Sequence, residues 1–135
     1  MKVPNYAEQL QPHVPEPLVA VGFLSKDEYA SRKRRPPRKF PNNVIVGLTP
    51  ASMYLFDFKP GYRGLKKVKP PVAVWDRRTF YTTVEGGLLG SGVRFIFNDG
   101  TELDLMYLKM PGMGDHNADF LQHLSGRPPA YPPTS

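Results

Sequence analysis

The sequence predicts a mainly β fold: a seven-stranded antiparallel sheet that bends on itself or forms a partly open barrel, with a short N-terminal helix and a C-terminal capping helix. Three observations carry this. Seven apolar runs of strand length recur along the chain, rich in β-branched and aromatic residues. Most connections between them are tight turns, too short for the helical crossovers of a parallel sheet. Only one longer stretch, 115–125, carries an apolar stripe at helical spacing. A flat seven-stranded sheet would leave an open face and exposed edges, so it is expected to curl.

At the N-terminus, Asn5 and Glu8 have capping-box spacing, and Pro12, Pro15 and Pro17 stop that helix early. Tyr6, Ala7 and Leu10 lie one turn apart and can dock it on a larger body. The strands are expected at 18–24, 44–48, 53–58, 72–75, 79–84, 93–97 and 102–108. Asn98-Asp99-Gly100 is a strong hairpin signal that requires positive φ. Segment 85–92, with glycines at 86, 87, 90 and 92, is read as a flexible connection. Asp115 suits the N-cap and Gly126 the C′ position of the last helix, whose stripe is Ala118, Phe120, Leu121 and Leu124. Residues 1–126 are thus one domain. The 127–135 tail, RPPAYPPTS, is read as a disordered proline-rich segment, and its P-P-x-Y spacing as a product of composition.

The charge is uneven. Net charge is +6, yet Tyr29 to Trp75 holds eleven Lys or Arg against one acid, Asp57. Six of these cations, Arg32, Lys33, Arg34, Arg35, Arg38 and Lys39, fall in eight positions within the aperiodic, proline-bearing 25–43 segment, a long loop expected to be functional or disordered. The other five are Lys59, Arg63, Lys66, Lys67 and Lys69, between the third and fourth strands. In an up-and-down sheet both connections follow odd strands and leave the same end, so the two basic runs are expected to merge into one phosphate-attracting patch.

YAEQL, VAVGFL, PNNVIVGLTPASMYLFDFKP, VAVWDR and PGMGDHNADFLQHL resemble an uncharacterised family of small actinobacterial proteins with a pleckstrin-homology-like (PH-like) or GRAM-like domain. The resemblance covers most of the chain except the basic loop and the tail. It implies a fold and a binding role, with anionic lipid headgroups held in some members of the wider class by the same two loops, and it brings no catalytic residues.

No enzyme motif emerges. Val93 stands where a phosphate-loop lysine would be after Gly87 and Gly92, and the serines lack a nucleophile-elbow context. His13, His116 and His123 are not spaced for a metal, and with Cys 0 there is no disulfide or thiolate site. No cofactor is expected. Glu102 and Asp104 share a strand face and are read as solvent-facing, while Asp76 and Arg78 are read as a structural pair. No apolar run spans a bilayer and MKVPNYAEQL has no signal-peptide core, so a cytoplasmic, peripherally membrane-associated protein is expected. The leading function is a non-enzymatic module for an anionic lipid headgroup or acidic partner, the eleven cations being the contacts. The competitors are a protein–protein scaffold using a sheet edge or helix, and, ranked lower, nucleic-acid binding with Tyr29, Phe40 and Tyr62 beside the basic loops. The oligomeric state is not legible.

Overall fold

The structure is a computed structural model of the chain. It describes residues 6–27, 30–59, 68–87, 90–107, 120 and 122–124. A short helix, α1 (Tyr6–Leu10), precedes strands β1 (Ala20–Lys26), β2 (Asn43–Leu48), β3 (Ser52–Asp57), β4 (Ala73–Asp76), β5 (Phe80–Gly87), β6 (Gly90–Phe97) and β7 (Glu102–Tyr107). They form one antiparallel sheet in the order β4-β3-β2-β1-β7-β6-β5. β4 and β5 are its edges, joined through a 3-10 turn at Arg77–Thr79. Their strands do not pair, so the sheet bends without closing. Helical residues 120 and 122–124 complete the described chain.

Alternation divides β1–β3 between two cores, so both faces of these strands are buried and their sequences read as nearly unbroken apolar runs. Ala20, Leu24, Val44, Val46, Leu48, Met53 and Leu55 face the interior of the bend, where they meet Phe80, Val93, Phe95, Leu103 and Leu105 from the other half of the sheet. Trp75 lies edge-on to Phe95 at 5.4 Å between ring centres, a favourable aromatic geometry. The opposite face presents Val21, Phe23, Ile45, Tyr54 and Phe56, which would be a water-exposed apolar sheet were it not covered by Tyr6, Leu10 and Val14. Tyr6 meets Phe23 edge to face at 5.0 Å. The helix stays on its site because Gln11 bridges the following turn: its side chain donates to the Glu16 carbonyl at 2.8 Å and accepts from the Leu18 amide at 2.9 Å. Glu16 Oε1 in turn accepts from the Thr49 hydroxyl at 3.3 Å and the Tyr54 hydroxyl at 3.4 Å. Burial, and then the Glu16 carboxylate, push the Tyr54 phenol above its usual 10.0.

The C-terminal turn fills the open interior. Phe120 is fully buried and Leu124 is 5% exposed, both within the interior core. Phe120 fits because position 22 is glycine: a Cβ there would overlap Cγ and Cδ2 of the ring, with Cδ1 only 2.6 Å away. Buried Arg77 fastens the turn, donating from Nη1 to the Thr49 carbonyl at 2.7 Å and from Nη2 to the His123 carbonyl at 2.9 Å. Asp76 and Arg78 pair at 2.8 Å, as the sequence predicts.

Two expectations need correction. The glycine-rich 85–92 stretch is not a loose connection: β5 runs to Gly87, β6 starts at Gly90, and Glu85, Gly86 and Gly87 face Gly92, Ser91 and Gly90 in register. Backbone pairing supplies the ladder that glycine composition hides. The Glu102–Asp104 face does lie opposite Leu103 and Leu105, but it is only partly open to solvent, because the β1–β2 connection and Arg94 half-cover it, leaving the Glu102 side chain 35% and that of Asp104 14% exposed. The 98–100 hairpin stands, with Gly100 at φ 91° and Asp99 Oδ1 accepting from the Thr101 amide at 2.8 Å. The 1–5, 108–119 and 125–135 segments and residue 121, and with them the Asn5 and Asp115 caps, Leu121, His116, Gly126 and the tail, lie outside the described residues.

Candidate functional site

Strand register decides where the basic connections emerge. Ser25 faces Asn43, Val44 faces Asp57 and Leu55 faces Ala73. The end of β1, the start of β2, the end of β3 and the start of β4 therefore lie along one edge of the sheet, and the β1–β2 and β3–β4 connections both leave from it. Lys59 and Lys69, at the two ends of the second connection, are exposed. Arg63, Lys66 and Lys67 lie outside the described residues.

The first connection lies along the sheet. The Lys26 amide donates to the Asn42 carbonyl at 3.0 Å, closing its base. Ala30 is 5% exposed, and Phe40 packs on the interior core. Arg32–Arg34 form a single 3-10 turn, where the sequence shows no period. Arg34 turns back to the sheet: its Nε donates to Glu102 Oε1 at 2.8 Å, in an ion pair whose side chains are each 35% exposed. Glu102 also lies 3.9 Å from Arg94, which makes a two-point contact with Asp104 at 2.8 and 3.2 Å. Arg35 donates from Nε to the Ala30 carbonyl at 3.0 Å, leaving the rest of its exposed guanidinium at the surface. Arg32, Lys33, Arg38 and Lys39 are exposed as well.

Two cavities flank this connection and share Asp27. One, about 350 Å³, is lined by Lys26, Asp27, Arg35, Pro36 and Arg38. Three cations around one carboxylate make it net positive, and Lys26 Nζ reaches the Arg38 carbonyl at 3.4 Å across it. The other, about 320 Å³, lies on the outer face of β5–β7 among Asp27, Ser31, Arg34, Thr83, Arg94 and Asp104, where acids and arginines balance.

Of the eleven predicted cations, Arg35 and Arg38 therefore share one pocket, Arg34 belongs to the other, and Lys59 and Lys69 stand along the same edge. Sequence reasoning placed Lys26 in the 25–43 loop but left it out of the basic run, which it precedes by six positions beside Asp27; the structure makes it the last residue of β1. Sequence reasoning also missed the Arg94–Asp104 pair, although the Asn98-Asp99-Gly100 hairpin sets their register directly. The aromatics expected beside the basic loops are not available as a stacking set: Phe40 packs on the core, and Tyr29 and Tyr62 lie outside the described residues. His13 and His123 are exposed, and no group of three or more metal-ligating side chains occurs among the described residues. No helix among them is long and apolar enough to cross a membrane. No model of a known protein family matches the chain and no curated protein matches it, so its function rests on the geometry above.

Proposed function

We propose that the chain is a non-enzymatic, PH-like binding module that takes an anionic, phosphate-bearing lipid headgroup in the Lys26–Arg35–Arg38 pocket. The single observation that carries this reading is that pocket: a cavity of about 350 Å³ whose lining has three cations to one carboxylate. A planar guanidinium suits two-point contact with phosphate oxygens, and an ammonium adds a compact point charge. Arg32, Lys33 and Lys39 of the same connection, with Lys59 and Lys69 at the ends of the neighbouring one, supply the wider field. Each cation near an anionic membrane surface contributes about 1 kcal/mol, an attraction that fades within a Debye length. Such a module works at the cytoplasmic face of a membrane as a peripheral protein.

Sedimentation with phosphatidylcholine vesicles, with and without phosphatidic acid, tests the reading. Wild-type protein is expected to sediment only with the acidic vesicles, less so as salt rises, and Arg35→Glu combined with Arg38→Glu is expected to abolish this. Equal sedimentation of that variant refutes the proposal. Competition by inorganic phosphate would assign recognition to the phosphate group itself, and failure to compete would assign it to the charged surface. A steeply salt-dependent shift of single-stranded RNA, with no vesicle binding, would move the function to nucleic acid. One observation favours a scaffold as the second reading: Val72 and Val74, at and just before edge strand β4, are 47% and 50% exposed.

A further inference from the structure

The six cations of 32–39 do not share one role. We infer that Arg34 and Glu102 form a positioning tether that presents the headgroup pocket, and that neither residue is itself a ligand contact. This inference rests on the proposed headgroup reading. Arg34 is the member of the run that is half-buried, and its Nε is committed to Glu102 at 2.8 Å, across 68 residues of sequence. Glu102 is held in turn beside Arg94, 3.9 Å away, whose guanidinium is fixed by Asp104. The tether therefore ends on the paired β6–β7 hairpin, a rigid base. On its other side Arg34 closes the 3-10 turn, its amide donating to the Ser31 carbonyl at 2.9 Å. The next residue, Arg35, lines the pocket and leans back on Ala30. Fixing Arg34 thus fixes where the Arg35 guanidinium starts, and a pre-arranged pair of cations binds more tightly than the same cations on a loose loop.

The tether makes a prediction opposite in sign to simple electrostatics. Glu102→Gln removes a negative charge and keeps every cation, so a pure charge effect would strengthen binding to acidic vesicles. If Glu102 positions the loop, that variant binds phosphatidic acid vesicles about fivefold more weakly, the scale of one half-exposed charge-assisted bond. Trypsin gives a lipid-independent readout, since Arg32, Lys33 and Arg34 are its sites. Loosening the loop is expected to speed cutting there about fivefold, with the thermal midpoint of the domain little changed.

Faster cutting together with weaker vesicle binding supports the tether. Unchanged cutting overturns it, whatever the vesicles do, and so does faster cutting with equal or tighter binding. If wild-type protein binds no acidic vesicle at all, the headgroup reading falls and the positioning role falls with it. Cutting data alone would then show whether the ion pair holds the loop. Lys33→Gln serves as the reference, removing one exposed cation while leaving the tether intact. Its cutting at the remaining sites is expected to match wild type, and a rise equal to that of Glu102→Gln would also overturn the inference.

Discussion

Gly22 and Phe120 are expected to behave as one unit, and a double-mutant cycle measures it. A methyl group at position 22 would overlap Cγ and Cδ2 of Phe120 and sit 2.6 Å from Cδ1. These are the ring atoms nearest its own Cβ, so a flip about the ring axis does not clear the space and the whole side chain must back out. Phe120 is fully buried, and losing such a ring from a core costs about 3–5 kcal/mol. Gly22→Ala is therefore expected to cost about 2–4 kcal/mol, despite the gain of about 0.5–1 kcal/mol from replacing glycine in a strand. Once Phe120→Ala has emptied the slot, the added methyl has room and the same substitution becomes neutral or slightly stabilising. The coupling between the two sites is then about 3 kcal/mol. Urea unfolding of wild type, both single variants and the double variant gives every arm of the cycle. Additive losses would refute the reasoning, because they would mean that the C-terminal turn does not seat its ring against β1.

Leu124→Ala is expected to cost about 2–4 kcal/mol by the same unfolding assay, since Leu124 lies in the interior core. Arg77→Met should cost about 2–4 kcal/mol, because the buried Thr49 carbonyl and the partly buried His123 carbonyl lose their shared donor. Gly47→Ala, by contrast, should cost less than about 1 kcal/mol: the new Cβ would lie 2.8 Å from Leu18 Cδ2, the far end of a side chain that can turn away. Hydrogen bonding from Arg78 holds the Asp76 carboxyl down at about 2, from its ordinary 3.8. A depressed carboxylate stabilises the fold fully above its unfolded value and loses that contribution as pH falls toward the folded one. The thermal midpoints of wild type and Asp76→Asn should therefore differ at neutral pH and converge between about pH 4 and 2. A constant gap across that range would show that the carboxylate charge is not what matters.

Much of the sheet was legible because its signals are local. Alternation in FIFNDGTELDL carries both the β6–β7 register and the positive-φ glycine at position 100. The runs VAVGFL and VIVGL declared strands but not which core each side chain joins, since burial on both faces erases the alternation that separates inside from outside. The glycine-rich hairpin was misread because propensity weighs side chains, whereas its ladder is built from backbone groups alone. The candidate site was legible as charge and illegible as arrangement. Counting cations finds Arg34 and Arg35 equally, and only the fold reveals that a carboxylate 68 positions away claims the first. Lys26 was overlooked for the same reason: its place in the pocket depends on where the loop returns.

The stabilising contacts and the charges of the proposed binding site separate toward opposite ends of the sheet. Arg77 ties the C-terminal turn to Thr49 and Ala51, at the β2–β3 end, and Glu16 reaches the same Thr49 from the N-terminal segment. The β1–β2 and β3–β4 connections leave from the other end, where the Lys26–Arg35–Arg38 pocket opens. Buried, carbonyl-satisfied Arg77 is a structural cation, whereas Arg35 and Arg38 are exposed, and their reversal is expected to cost the fold little. Variants at the two ends should therefore be independent: Arg77→Met lowers the melting midpoint yet leaves vesicle affinity intact at temperatures where the domain is folded, and reversing Arg35 and Arg38 does the opposite. That independence lets surface loops change their ligand chemistry on a constant frame. A single substitution that moved both quantities together, outside the Arg34–Glu102 tether, would show that the pocket is built into the frame rather than mounted on it.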